Sequence, residues 1–263
     1  MPFLLLFEVI EGLDMKMKQI KLTILMILSI LGSCFGTSLY AASHLFELKE
    51  NIYELEQKKL ELEHKVIIVD PGHGGFDPGK PGITGLDEKH LNLKIALILR
   101  DELEEAGAKV IMTRTTDDDV DGMDGVKHKS KDMVERKKLS EGGDILVSIH
   151  QNSFTQSSVH GAQVFFNGKS AKGKRLAQII QRSIKVHADE TNKREAKSNT
   201  NYYVLKATQL PAVIVECGFL TNPEEEQKLN TEAYQKKIAH GIYLGIVEYF
   251  KEEGKLQGTS EAK

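Results

Sequence analysis

The sequence predicts an α/β fold: a single domain with a twisted, mostly parallel sheet flanked by helices on both faces, preceded by an N-terminal membrane helix and a short helical stalk. Three features carry that expectation. Short β-branched runs alternate with segments of helical period between residues 65 and 253. An uncharged stretch at 22–42 follows a cluster of lysines. The 263 residues are 40% hydrophobic and 28% charged, enough to bury a core and unlike a disordered chain. The 35 Lys and Arg against 38 Asp and Glu leave a net charge of −3, which argues against a nucleic-acid binder with its basic face. Two cysteines, Cys34 and Cys217, exclude a disulfide framework.

Residues 1–14 (MPFLLLFEVIEGLD) place Glu8, Glu11 and Asp14 ahead of the lysine cluster. They read as an extra or mis-called N-terminus, with the natural start at Met15 or Met17. Residues 15–43 read as a signal-anchor or transmembrane segment, in which Lys16, Lys18 and Lys21 form the positive flank that stays cytoplasmic. The uncharged run is as long as a helix needs to cross the bilayer core. Small residues near Tyr40-Ala41-Ala42 leave cleavage open. Leu31-Gly32-Ser33-Cys34 leaves lipidation of Cys34 open, although Gly32 suits a lipoprotein box poorly. Residues 44–64 form a helical stalk. Leu45, Leu48, Ile52, Leu55 and Leu62 make a narrow apolar stripe, broken by Lys59 and too short for a coiled coil. A weak dimerisation helix is the alternative.

The main domain spans 65–253, with a polar tail at 254–263. Val66-Ile67-Ile68-Val69 is a strand entering the loop Asp70-Pro71-Gly72. Leu91, Ile95, Leu99 and Leu103 recur at helical period over 88–106, and Gly107 suits the C-cap. A second strand holds Val110-Ile111-Met112, and a polar loop follows at 115–130. Its Asp117, Asp118 and Asp119 suit a solvated loop better than a cation site. The remaining expectations are a helix at 131–141, strands at 145–149 and 162–166, a helix at 171–189, strands at 202–205 and 213–216, and helices over 223–250.

In open α/β sheets chemistry gathers at the carboxyl ends of strands, and three polar signals sit there. His73 follows the first strand in DPGHGG, His150 ends the 145–149 strand in SIHQN, and Glu216 ends the 213–215 strand in VECGF. Two imidazoles and a carboxylate at one sheet edge suit a divalent metal. Glu88, opening the first long helix, is a further carboxylate that the glycine-rich loop 72–85 can fold back beside His73. Catalytic zinc takes three N or O ligands and keeps a position for water. A carboxylate outside the ligand set then serves as general base and acid. Singly, each signal has a plain structural alternative. A Glu opening a helix is favoured by the helix dipole, whereas a buried Glu216 left without a partner is costly.

The segments VDPGHGGFDPGKPGITGLDEKHLNL, VIMTR, DILVSIHQNS and LPAVIVECGFLTNPEE resemble the zinc-dependent N-acetylmuramoyl-L-alanine amidases of the type 3 family, in order across nearly all of 65–253. The resemblance implies one zinc ion per chain, with His73, Glu88 and His150 as its ligands and Glu216 as catalytic acid/base. The loop between His73 and Glu88 is slightly longer than usual, with Pro81 in it, which makes Asp87 the competitor for the carboxylate ligand. The implied reaction is hydrolysis of the amide between N-acetylmuramic acid and the L-alanine of the stem peptide. Within the family, the short layout without wall-binding repeats is similar to the germination-specific spore cortex amidases. That subgroup implies a role in cortex maturation through muramic-δ-lactam, and a place in the forespore intermembrane space. The implied partners are peptidoglycan, the membrane through the N-terminal anchor, and an accessory activator protein.

Two other functions use the same residues: a zinc peptidase cutting within the stem peptide, and a membrane-tethered wall-binding protein idle without an activator. His44, His64, His128, His160, His187 and His240 read as solvated, and His90 as within reach of the site's periphery. Cys217 reads as a small buried residue rather than a nucleophile, because successive residues of a strand face opposite sides. Asn152 and Arg114 read as supporting residues.

Overall fold

Apolar alternation along three neighbouring parallel strands builds the centre of the fold. A computed structural model describes Lys49 and residues 61–118, 129–139 and 141–261. Strands β1 (Val66–Pro71), β3 (Ile145–Asn152) and β6 (Ala212–Phe219) lie side by side and parallel. β2 (Lys109–Met112) joins β1 in parallel. On the other side β4 (Gln163–Phe166) pairs antiparallel with β6 and carries the short β5 (Lys197–Ser198) in parallel. The order is β2-β1-β3-β6-β4-β5.

Among the described residues six helices accompany them: α1 (Glu88–Glu105), α2 (Lys129–Leu139), α3 (Ala171–His187), α4 (Tyr203–Ala207), α5 (Pro223–Leu229) and α6 (Glu232–Glu261). Two of these starts are read directly from sequence. Ser170 caps α3 by accepting from Gly173 N, and Asn222 caps α5 by accepting from Glu224 N and Glu225 N, with Pro223 opening the helix.

Alternation gives the sheet two unlike faces. Ile67, Val69, Ile145, Val147, Ile149, Val213 and Val215 point into the main core with Leu91, Ile95 and Leu99 of α1, Leu176 and Ile180 of α3 and Ile242 and Ile246 of α6. Ile68, Leu146, Phe165, Ala212 and Ile214 face the other way and pack with Leu205 of α4 into a smaller core.

Several expectations need correction. Residues 202–205 are not a strand: Tyr202 is the N-cap of α4. The Tyr-Tyr-Val-Leu run has strand propensity, but the strand next to β4 is β5, and tertiary burial of Leu205 on the smaller core selects one helical turn. The stretch 254–263 is not simply a tail, because α6 continues through Glu261. Leu62, assigned to the stalk, is fully buried in the main core. His64 is in a turn with φ 65° rather than on a helix. α2 begins at Lys129, before the expected position 131.

No helix among the described residues is long and apolar enough to cross a membrane. The segments read at 1–14 and 15–43, Cys34, His44, His128, and the stalk residues Leu45, Leu48, Ile52, Leu55 and Lys59 lie outside the described residues.

Candidate metal centre and acid/base site

The site is assembled where β1, β3 and β6 end: Asp70, His150 and Glu216 share the sheet face of the smaller core, and Glu88 comes from α1, which packs on the main core. Register sets Asp70 beside Ser148 and His150 beside Glu216. The chain leaves β1 through Gly72 and turns sharply at His73, whose φ of 61° lies in the left-handed region that a non-glycine residue rarely adopts. Two glycines make the approach possible. A Cβ on Gly72 would stand 2.2 Å from the His150 ring, and one on Gly79 would meet Glu88 and the His73 ring at 2.7 Å.

Glu88, at the N-terminus of α1 and 3% exposed, is the hub. Its Oε2 lies 3.2 Å from His73 Nε2 and accepts from Lys80 N, while its Oε1 lies 3.0 Å from His150 Nδ1 and accepts from Gln151 N at 3.0 Å. His73 Nδ1 is held by Asp77 at 3.0 Å, and the two imidazole rings stand edge to face, 5.0 Å apart. One donor atom from each of His73, Glu88 and His150 lies within 4.8 Å of the others. Asp87, the competitor, is the N-cap of α1 and outside this group.

The electrostatics fit a cation. Burial works to raise the Glu88 pKa, but hydrogen bonds and charge from His150 and His73 outweigh it and hold the carboxyl far below the ordinary range. Burial works to lower His73, and its bonds to Asp77 and Glu88 outweigh that, lifting the imidazole to about 9. A site that keeps its carboxylate ionised and draws a proton onto an imidazole is set for positive charge. Two nitrogens and one carboxylate oxygen are a zinc-type donor set.

Glu216 stands beside this trio without belonging to it. It is 6% exposed, and burial pushes its carboxyl up, with the negative charge of Glu88 adding to the rise. Tyr202 Oη donates to Glu216 Oε1 at 3.2 Å, while Oε2 is buried with no hydrogen-bond partner among the described residues.

Beneath the trio runs a buried polar layer that sequence reasoning did not find. Asp70 accepts from Ser148 Oγ at 2.6 Å, from Thr113 Oγ1 at 2.7 Å and from Arg136 Nη1. Burial works to raise the Asp70 pKa, but the Arg136 charge and these bonds outweigh it and bring it to about 2. Arg136 also donates to the carbonyls of Pro71 and His73, so α2 clasps the His73 turn. Arg114, expected as a supporting residue, donates to the carbonyls of Pro71, Gly72 and Lys89. Glu226 at the start of α5 accepts from Thr84 N and Thr84 Oγ1, which pins the glycine-rich loop between His73 and Glu88. No sequence signal marks this clamp: Glu226 lies one residue beyond the NPEE segment and meets Thr84 across 142 positions.

The other candidates behave as their local chemistry suggests. Cys217 is fully buried in the main core, opposite Glu216, and burial pushes its thiol far up. His90 is half-buried, lies 3.9 Å from Asp117 and is not one of the trio. His160 faces Ser158 O, and His187 and His240 meet ring to ring at the surface. Asn152 lies in register with Phe219 and accepts from Leu220 N through its carbonyl.

A family model described as N-acetylmuramoyl-L-alanine amidase matches residues 67–248. The chain is similar to the germination-specific N-acetylmuramoyl-L-alanine amidase of Bacillus subtilis, 39% identical over 194 residues that cover 72% of this chain and 81% of that one. Among solved structures it is similar to the CwlD amidase of Clostridioides difficile in complex with the GerS lipoprotein. There the TM-score is 0.67 and the identity 39%, covering 72% of this chain and 99% of that one. An N-acetylmuramoyl-L-alanine amidase of Clostridium difficile 630 aligns with a TM-score of 0.63 and 34% identity, covering 71% and 97%. With a family model matching most of the chain and a 39% identical relative covered over 81% of its length, the chain belongs to the N-acetylmuramoyl-L-alanine amidase family and is an enzyme of that class.

Proposed function

We propose that the chain uses one zinc ion, held by His73, Glu88 and His150, to hydrolyse the amide between N-acetylmuramic acid and L-alanine, with Glu216 as the catalytic acid and base. The observation that carries this reading is the convergence of three donor atoms within 4.8 Å beside a buried carboxylate outside their group. Bound zinc would polarise the scissile carbonyl and lower the pKa of a water to about 7. Glu216 takes a proton from the attacking water as its oxygen bonds to the carbonyl carbon. As the carbon–nitrogen bond breaks, Glu216 returns the proton to the departing alanine nitrogen. The products are a lactyl carboxylate on the glycan and a stem peptide with a free amino terminus. The elevated pKa of Glu216 suits a group that must both accept and return a proton. The His73 turn, Arg136 and Arg114 hold the ligands in place before metal arrives.

The cellular role we infer is spore cortex maturation. Stem peptides are removed there as a first step toward muramic-δ-lactam, which a separate deacetylase completes. The likeness to the germination-specific amidase supports this reading. The lysine-flanked uncharged segment at 15–43 supports export, with the domain facing peptidoglycan in the forespore intermembrane space. A relative whose structure holds a lipoprotein supports an accessory partner. The test is chelator-treated protein incubated with purified peptidoglycan, with and without zinc, and mass spectrometry of the products. Zinc-dependent release of whole stem peptides with free L-alanine amino termini is expected. Fragments cut inside the stem would make the enzyme a peptidase instead.

A further inference from the structure

The two oxygens of Glu216 have different surroundings. Oε1 accepts from the Tyr202 hydroxyl at 3.2 Å, and Oε2 is buried with no partner among the described residues. A buried carboxylate oxygen without a donor is costly, and native structures rarely retain one without a use. The oxygen whose lone pairs are uncommitted is also the more basic of the two, because a donor on its neighbour stabilises charge there. Tyr202 is placed independently of this bond. Its backbone N donates to Asn199 Oδ1 at 3.2 Å, and its ring stands edge to face against Phe165 at 5.6 Å. It is also the N-cap of α4, whose Leu205 is buried in the smaller core. The hydroxyl keeps its proton, since burial and the Glu216 charge both push its pKa above the ordinary tyrosine range. It is therefore a permanent donor toward Oε1.

We propose that Tyr202 is a positioning residue of the amidase reaction: its hydroxyl holds Glu216 through Oε1, so that Oε2 is the atom that takes the proton from water and returns it to the leaving nitrogen. The bookkeeping is complete without any further group. One O–H bond of water breaks as Oε2 gains the proton, and the same proton leaves Oε2 for the alanine nitrogen when the carbon–nitrogen bond breaks. The Tyr202 proton stays on Tyr202 throughout. This inference rests on Glu216 being the acid/base residue.

The test compares zinc-loaded wild type, Tyr202→Phe, Tyr203→Phe and Glu216→Gln on peptidoglycan, reading kcat, KM, zinc content and Tm for each. Phe keeps the ring contact with Phe165 and removes only the hydroxyl. Tyr203, 44% exposed on the same short helix, is the control. Tyr202→Phe is expected to lower kcat about 10- to 100-fold, the range of a hydrogen bond to a charged group. KM, zinc content and Tm should stay at wild-type values, and Tyr203→Phe should match wild type. A wild-type kcat in Tyr202→Phe overturns the proposal. So does a loss confined to KM, which would mean contact with substrate, or a loss that follows zinc content or Tm, which would mean a structural role. If Glu216→Gln itself retains wild-type turnover, the underlying reading of Glu216 fails, and that result is distinct from a failure of Tyr202 alone.

Discussion

The two faces of the sheet are built from the same three strands and differ in almost everything else. On the main face Ile67, Val69, Val147, Ile149, Val213 and Val215 pack with apolar side chains of three long helices into the larger core. On the other face Ile68, Leu146 and Ile214 form a small apolar patch, and toward the strand ends the same row continues as Asp70, Ser148, His150 and Glu216. One side chain in two faces stability and the next faces chemistry. The comparison teaches where this fold can carry costly groups. A buried carboxylate and a left-handed His73 are held because the opposite face supplies a large, rigid core behind them.

If that division is right, substitutions should separate into losses of turnover and losses of stability. The largest effect is expected from Glu216→Gln, which should keep its metal and lose about 10²- to 10⁴-fold in turnover. Loss of zinc with activity would instead make Glu216 part of the metal site. Asp70→Asn should cost about 3–5 kcal/mol by leaving the Arg136 guanidinium buried against a neutral partner. Denaturant unfolding measures it, and an unchanged midpoint would remove Asp70 from the structural account. On the main face, Leu99→Ala should cost about 2–5 kcal/mol through the cavity it leaves. Its kcat at a temperature where the protein stays folded should be unchanged; a lowered kcat would break the division between faces.

Smaller effects sharpen the comparison. Glu226→Ala frees Thr84 and with it the loop that links His73 to Glu88. Zinc affinity, measured by competition with a chelator, is expected to fall about 10- to 100-fold, as for other groups that orient ligands. Unchanged affinity would make that clamp irrelevant to the metal. The smallest effect is a pH dependence. Asp70 titrates at about 2 in the folded protein against an ordinary 3.8, so its stabilisation is full above its unfolded value and disappears as pH falls toward 2. The stability gap between wild type and Asp70→Asn should therefore narrow by about 2 kcal/mol across that window. A gap constant with pH would mean that the Arg136 pair does not act through the Asp70 charge.

The strands carrying the site were legible because each announces itself locally. VIIVDPG, ILVSIH and AVIVEC are β-branched runs that stop at a polar residue, and a parallel sheet gathers such ends on one edge. His73, Glu88, His150 and Glu216 were all named from that pattern and from the family resemblance. Tyr202 was hidden for the same reason that the strand at 202–205 was misplaced. Its segment has the composition of a strand, and only the burial of Leu205 against the sheet makes it a helix. The antiparallel setting of β4 was equally invisible, because alternation reports a strand and not its direction.

By itself the sequence determined which residues form the apolar runs, where the strands end, and that His73, His150 and Glu216 stand at or just past those ends with Glu88 opening a helix, since these follow from local patterning and steric preference. Tertiary structure alone decided that Arg136 would lie beneath His73, that Glu226 would clamp the loop at Thr84, and that Tyr202 would donate to one oxygen of Glu216 rather than the other. Those meetings join residues far apart in the chain or reaching from an unforeseen helix. They depend on packing and on the satisfaction of buried polar groups, which act through space and leave no period in the sequence.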